Sequence, residues 1–175
     1  MGSYLMGQQL PSIVERARDF AIDRHGDQKY NGTLPYRWHI SKVAELTKGL
    51  GYSEPVQAAA WLHDTIERTN TSFDEIEKIF GYEIAVMVDG VTYIEEDHAR
   101  GTDKIAKARS NPGSHAIKLC DASVNLGVRT INETPSDMTQ WEVISKYGGF
   151  FAKLQPDLPT PDEIEGWLKS LVKRK

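Results

Sequence analysis

Val56-Gln57-Ala58-Ala59-Ala60-Trp61-Leu62-His63-Asp64-Thr65-Ile66-Glu67-Arg68 is an apolar run that ends on an imidazole and a carboxylate. At helical spacing Val56, Ala58, Ala59, Ala60, Trp61 and Leu62 leave almost no polar face, so the segment reads as a central helix surrounded by others. A His and an Asp side by side at the end of a buried helix are costly unless a partner or a metal ion takes them. The chain is therefore read as all-α, a single domain of about eight to ten helices around a buried metal site.

The flanking segments agree with that reading. Ser53 caps the central helix, with Pro55 in its first turn. Before it, Ile40, Val43, Ala44 and Leu50 mark the inner stripe of a helix from Tyr36, ended by Gly49 and Gly51. His39 lies four residues before Val43, close to that stripe. Ile13, Val14, Ala17, Phe20 and Ala21 mark a first helix with Pro11 in its opening turn, and Gln28 to Pro35 reads as a loop turning at Asn31-Gly32. After it, Ser72 and Glu75 have capping-box spacing and Gly81 closes the helix they start. Ile84 to Thr92 gives another helix. Glu95 to Gly101 reads as a mobile polar stretch. Thr102 is expected to cap a short helix that ends at Ser110. A long helix then carries Ile117, Asp121 and Val124 on one face, with Asn125 one turn further on the same side. Met138 to Leu154 reads as a helix with Trp141, Ile144, Tyr147 and Phe151 inward and a kink at Gly148-Gly149. Thr160, Pro161 and Glu163 start a final amphipathic helix. The domain is drawn over residues 1–175, with its core over about 11–154 and the last helix over about 160–173.

Composition excludes several classes. The chain has 175 residues, 39% hydrophobic and 26% charged, with a net charge of −4. That is an ordinary globular balance. Beyond the Lys173-Arg174-Lys175 tail no basic run suggests general nucleic-acid binding. No apolar run approaches the ~20 residues that span a bilayer, and no membrane association is expected. The first residues lack the pattern of a signal peptide. One cysteine, Cys120, leaves no disulfide and no paired-cysteine zinc motif. A cytoplasmic location is expected.

Four candidate ligands fall on three helices: His39, His63 with Asp64, and Asp121. Mixed imidazole and carboxylate donors suit Mn²⁺, Fe²⁺, Co²⁺ or Ni²⁺. Zn²⁺ suits them less well because no thiolate is offered. A water on such an ion is acid enough to attack phosphorus near neutral pH. Glu67, four residues after His63, falls on the same side and is placed to orient or deprotonate that water. Lys29, Arg68 and Lys118 are nearby cations for a phosphorylated substrate, with Arg37 and Arg129 read as surface charges. His25 reads as structural, behind the site, and His98 and His115 as exposed. The four tryptophans read as core.

The order His39, His63-Asp64, Asp121 resembles the HD superfamily of metal-dependent phosphohydrolases. AIDRHGDQKYNGTLPYRWHISKV (Ala21 to Val43), AAAWLHDTIERT (Ala58 to Thr69), FDEIEKIFGYEIAVMVDGVT (Phe73 to Thr92) and IKLCDASVNL (Ile117 to Leu126) resemble the alarmone hydrolase domain of RelA/SpoT-type proteins, in its small, hydrolase-only form. The resemblance implies an all-helical fold, a Mn²⁺ ion and hydrolysis of the 3′-pyrophosphate of ppGpp or pppGpp in the stringent response. It implies metal ligands at His39, His63, Asp64 and Asp121, and a catalytic carboxylate at Glu67. It implies a substrate contact at Asn125, and Tyr30 where the family places an Arg beside the base, with Lys29 next to it. Arg68 replaces the second acidic residue that the family uses beside Glu67. Two alternatives follow from Arg68 and the altered base pocket. One is phosphohydrolysis of another nucleotide, such as NADPH or a nucleoside phosphate; the other is a catalytically weak nucleotide-binding module.

Overall fold

A computed structural model describes residues 10–131 and 149–172. The Lys173-Arg174-Lys175 tail, Trp141, Ile144, Tyr147, Gly148 and most of the helix read over Met138 to Leu154 lie outside the described residues, as do the side chains of Arg129 and Phe151. The architecture is all-α apart from one two-stranded hairpin.

The central helix, α3 (Glu54–Leu62), follows α1 (Ile13–His25) and α2 (Tyr36–Gly49). Val56, Ala58, Ala59, Ala60 and Leu62 are all fully buried. Three consecutive alanines combine high helix propensity with minimal bulk, which lets neighbouring helices pack against α3 on several sides. Those neighbours are α1, α2, α6 (Tyr82–Val91) and α9 (Pro112–Ile131). Ser53 sits at the N-cap position but its hydroxyl makes no capping bond.

The helix stops at Leu62 because side chains take over its last carbonyls. His63 Nδ1 donates to the Ala60 carbonyl at 2.8 Å, and the Thr65 hydroxyl donates to that of Leu62 at 2.7 Å. Asp64 turns the chain, and α4 (Thr65–Arg68) follows as a separate short helix. Glu67 therefore does not continue the helix that carries His63, as the spacing argument assumed.

Between α1 and α2 the expected loop contains a small hairpin, β1 (Lys29–Tyr30) paired with β2 (Leu34–Pro35) in antiparallel register, Tyr30 opposite Leu34. Asn31 (φ 53°) and Gly32 (φ 75°) form its turn in the left-handed region that Asn and Gly tolerate. The hairpin packs on α2 and stacks Tyr30 on His39.

Helix α5 (Phe73–Phe80) starts at Ser72, whose hydroxyl accepts from the Glu75 amide at 3.2 Å. Several local expectations are corrected. Pro11 precedes α1, whose cap is Ser12 in a full capping box with Glu15. Leu50 is 48% exposed, because it follows the last helical residue of α2 and points away from the stripe. Glu95–Ala99 is a short helix, α7, with Asp97 accepting from the Ile94 amide. Asp103, not Thr102, caps α8 (Lys104–Ala108): its carboxylate accepts from the Ile105 amide at 2.8 Å. His115 is buried, its Nε2 donating to the Leu154 carbonyl in α10 (Gly149–Leu154) at 2.5 Å. The last helix, α11 (Pro161–Val172), inserts Ile164 and Leu168 into the main core. No helix among the described residues is long and apolar enough to cross a membrane.

Candidate metal centre and nucleotide cavity

Three helices bring the four expected ligands to one point. His39 comes from the inner face of α2, His63 and Asp64 from the break after α3, and Asp121 from the middle of α9. His39 and His63 are almost fully buried. Their Nε2 atoms stand 3.2 Å apart. Asp64 Oδ2 lies 3.4 Å from His63 Nε2 and 3.6 Å from His39 Nε2. Asp121 Oδ1 lies 3.3 Å from His39 Nε2 and 3.9 Å from His63 Nε2.

The donor set fits a divalent cation. The bond to Ala60 fixes the proton of neutral His63 on Nδ1, so Nε2 turns a lone pair inward. Each carboxylate thus brings an oxygen within 3.9 Å of both imidazole Nε2 atoms, and such a mixed nitrogen and oxygen donor set suits a divalent cation. The charges around the site act on one another strongly. Burial pushes the His63 imidazolium down, but Asp64 and Asp121 outweigh it and raise its pKa to about 9. Burial pushes the Asp121 carboxyl up, but Lys118 and the two imidazoles hold it well below the usual range. Asp64 is likewise held low against burial by His63, His39 and Arg68. Cys120 offers no thiolate here, because burial pushes its thiol up to about 12.

The side chains around the ligands form a connected frame. The Asn125 amide donates to Asp121 Oδ1 at 2.6 Å, and its carbonyl accepts from the Tyr30 hydroxyl at 2.5 Å. The Tyr30 ring lies flat on His39, centroids 4.4 Å apart. Tyr30 was expected beside a base; it lines the cavity, and its ring also braces a ligand. Lys118 Nζ pairs with Asp121 Oδ2 at 3.0 Å. Tyr36, unremarked in the sequence, donates its hydroxyl to Asp64. Its ring is stacked on His25 at 4.4 Å, and the Arg68 guanidinium lies 5.7 Å from the ring centroid. His25 thus stands behind the site as expected, held through Nδ1 by Gln28 at 3.0 Å.

Beyond the ligands opens a cavity of about 230 Å³. Lys29, Tyr30, Glu67, Arg68, Lys118 and Asn125 all line it, together with His39, Asp64 and Asp121. Glu67 Oε2 accepts from the Tyr93 amide at 2.9 Å. Arg68 Nε lies 3.4 Å from Asp64 Oδ2. Tyr36 and Lys104 also line the cavity and were not anticipated. Tyr36 lies three residues before His39, a spacing that does signal a shared face. Lys104 carries no comparable sequence signal, because a folded loop brings it there.

A family model described as HD domain matches residues 17–117. The chain is 42% identical over 119 residues to the guanosine-3′,5′-bis(diphosphate) 3′-pyrophosphohydrolase of Aquifex aeolicus, covering 65% of this chain but 17% of that one. It spans 11% of the probable enzyme of the same name from Synechocystis, at 40% identity. Against the guanosine-3′,5′-bis(diphosphate) 3′-pyrophosphohydrolase MESH1 of Mus musculus it is 33% identical, covering 97% of this chain and 98% of that one. A solved metazoan orthologue of SpoT, which hydrolyses ppGpp, superposes with a TM-score of 0.70 at 27% identity, covering 95% of this chain and 98% of that one.

Proposed function

The chain belongs to the HD-domain family, and on that premise we propose that it is a metal-dependent pyrophosphohydrolase that converts a guanosine 3′,5′-bis(diphosphate) and water to guanosine 5′-diphosphate and pyrophosphate. The observation that carries this reading is the convergence of His39, His63, Asp64 and Asp121 on one point at the floor of a cavity lined by cations. Similarity to MESH1 over nearly the whole of both chains supports the substrate class. The ion we assign is Mn²⁺. The domain extends over residues 1–175, the protein works in the cytoplasm, and its reaction belongs to the stringent response.

His39, His63, Asp64 and Asp121 would hold a divalent ion, which would supply charge neutralisation for the phosphate and acidify a water. The residues do the rest. Glu67, held by the Tyr93 amide, takes a proton from the attacking water. Water adds to the phosphorus bonded to O3′, the P–O3′ bond breaks, and the 3′-oxygen leaves as a hydroxyl by taking a proton from solvent, to which Glu67 in turn returns the one it accepted. Lys118 and Arg68 stand beside Asp121 and Asp64, where their charges meet the phosphate oxygens. Asn125 and Tyr30 hold Asp121 and His39 in place and, with Lys29, form the wall that meets the nucleoside.

Arg68 favours a second reading. Its guanidinium competes with a metal ion for Asp64, which suits a protein that acts on another nucleotide phosphate, such as NADPH or a nucleoside phosphate, or that binds nucleotides with little turnover. A nucleotide panel with Mn²⁺-loaded protein separates these. Pyrophosphate release from ppGpp is the expected result. Phosphate release from other nucleotides alone, or micromolar binding without any turnover, would transfer the assignment to the second reading.

A further inference from the structure

Helix α4 carries Glu67 on a four-residue turn, too short to be stable by its own bonds. Its start is fixed by the break after α3, where Asp64 turns the chain. Its end leaves carbonyls without a helical partner. One of them, the carbonyl of Arg68, accepts from Gln28 Nε2 at 2.8 Å, 40 residues away in sequence.

Gln28 stands in the bend between α1 and the hairpin, and its own backbone is tied on both sides. Its amide donates to the His25 carbonyl at 3.0 Å, and its carbonyl accepts from the Tyr36 amide at 2.9 Å. The last residue of α1 and the first of α2 therefore hold it in place. The roles of its side chain follow from its partners. A backbone carbonyl can only accept, so the NH₂ group of Gln28 faces Arg68. The amide oxygen then faces His25 and accepts from Nδ1 at 3.0 Å. His25 is buried and stacked on Tyr36, whose hydroxyl donates to Asp64. One side chain thus joins the end of α4 to the ring stack behind the metal site. Gln28 is itself exposed, so its loss should change the stability of the whole fold little.

We propose that Gln28 is a positioning residue: by holding the Arg68 carbonyl it keeps α4 against α1, and so sets the Glu67 carboxylate toward the metal site. The inference rests on the proposed pyrophosphohydrolase reading, in which Glu67 takes the proton of the attacking water.

Gln28→Met keeps the length of the side chain and removes both of its hydrogen bonds. With Mn²⁺-loaded full-length protein and ppGpp, kcat should fall about tenfold, since a displacement of about 1 Å at a reacting group costs up to about 100-fold. KM, Mn²⁺ stoichiometry and Tm should stay close to those of the wild type. The decisive readout is a cycle with Glu67→Gln. If Gln28 acts through Glu67, Gln28→Met lowers kcat less than about twofold once Glu67 is replaced. An equal loss of kcat in both backgrounds, or a loss below about threefold in the wild-type background, overturns the inference. So does a loss of bound Mn²⁺ that accounts for the fall in kcat. If the wild type does not hydrolyse ppGpp, the pyrophosphohydrolase reading fails by itself. The clamp is then judged by hydrogen exchange of the Arg68 and Thr69 amides, which close the turn of α4 on the Asp64 and Thr65 carbonyls. Exchange about tenfold faster in Gln28→Met upholds it, and equal rates in the two proteins overturn it.

Discussion

Replacing Tyr36 by Phe removes one oxygen atom and tests how the site holds Asp64. The Tyr36 hydroxyl donates to Asp64 Oδ2, the same oxygen that faces both imidazoles. Its ring is stacked on His25, and the Arg68 guanidinium lies 5.7 Å from the ring centroid. Phe keeps that stack and the buried volume, so the substitution deletes the hydrogen bond with little change in packing. A hydrogen bond to a charged group contributes about 1.5–3 kcal/mol. Deleting a partner that orients a metal-ligating side chain typically costs about 10–100-fold in metal affinity. Arg68 remains 3.4 Å from the same oxygen and retains part of the orientation. The expected loss therefore sits at the lower end, about tenfold in Mn²⁺ affinity, or about 1.4 kcal/mol. Calorimetric titration of Mn²⁺ into metal-stripped wild type and Tyr36→Phe measures it directly, with circular dichroism to confirm an unchanged fold. An affinity within twofold of wild type, or a tighter one, refutes the view that Tyr36 orients Asp64 for the ion.

Other perturbations probe separate parts of the account. Arg68→Asp removes the cation that competes for Asp64 and supplies a second carboxylate beside Glu67; Mn²⁺ affinity and ppGpp hydrolysis should both rise, the latter about tenfold or more, and a fall in hydrolysis would show that the contact of Arg68 with the phosphate outweighs its competition for Asp64. In the ion-free protein His63 has a raised pKa of about 9, so metal uptake must displace a proton throughout the neutral range. Apparent Mn²⁺ affinity should fall by up to about tenfold per pH unit below that value, and calorimetry in buffers of different ionisation enthalpy should count about one proton released; pH-independent binding would contradict this. Gly90→Ala tests the fold alone, since a Cβ there would lie 2.1 Å from Ser114 Oγ and 2.7 Å from Ser114 Cβ. That overpacking of α6 on α9 should cost about 1–3 kcal/mol and lower Tm by roughly 2–10 °C, while an unchanged Tm would mean that the two helices separate freely.

The candidate ligands were legible because each stands in or beside apolar sequence, where a charge demands a partner. His39 and Asp121 could be assigned to an inner face from neighbours three and four residues away, and His63 from its place at the end of the apolar run. Asp64 and Glu67 both line the cavity, but the spacing argument that put them there was incomplete. The helix that was to carry them breaks at His63, because His63 and Thr65 return their side chains to the carbonyls of Ala60 and Leu62. Such a break is invisible to periodicity. The same limit hid α7 and the true cap of α8. Their order comes from single contacts, Asp97 with Lys107 and Tyr93 with Thr102, not from an apolar stripe. His115 was misplaced for a related reason. Its burial depends on a carbonyl 39 residues away in sequence. Tyr30 shows a subtler limit: aromatic character announced a stacking partner, but the tertiary fold supplied one, His39, within the protein.

The central claim is that His39, His63, Asp64 and Asp121 hold one divalent ion on which hydrolysis depends. Titrating Mn²⁺ into the metal-stripped protein while following pyrophosphate release from ppGpp tests it most directly, with His63→Ala and Asp121→Ala in parallel. The expected result is activity that saturates at one equivalent of Mn²⁺, and variants that lose both the ion and the activity. Full activity in the stripped protein without added metal, or full metal content in both variants, would contradict it.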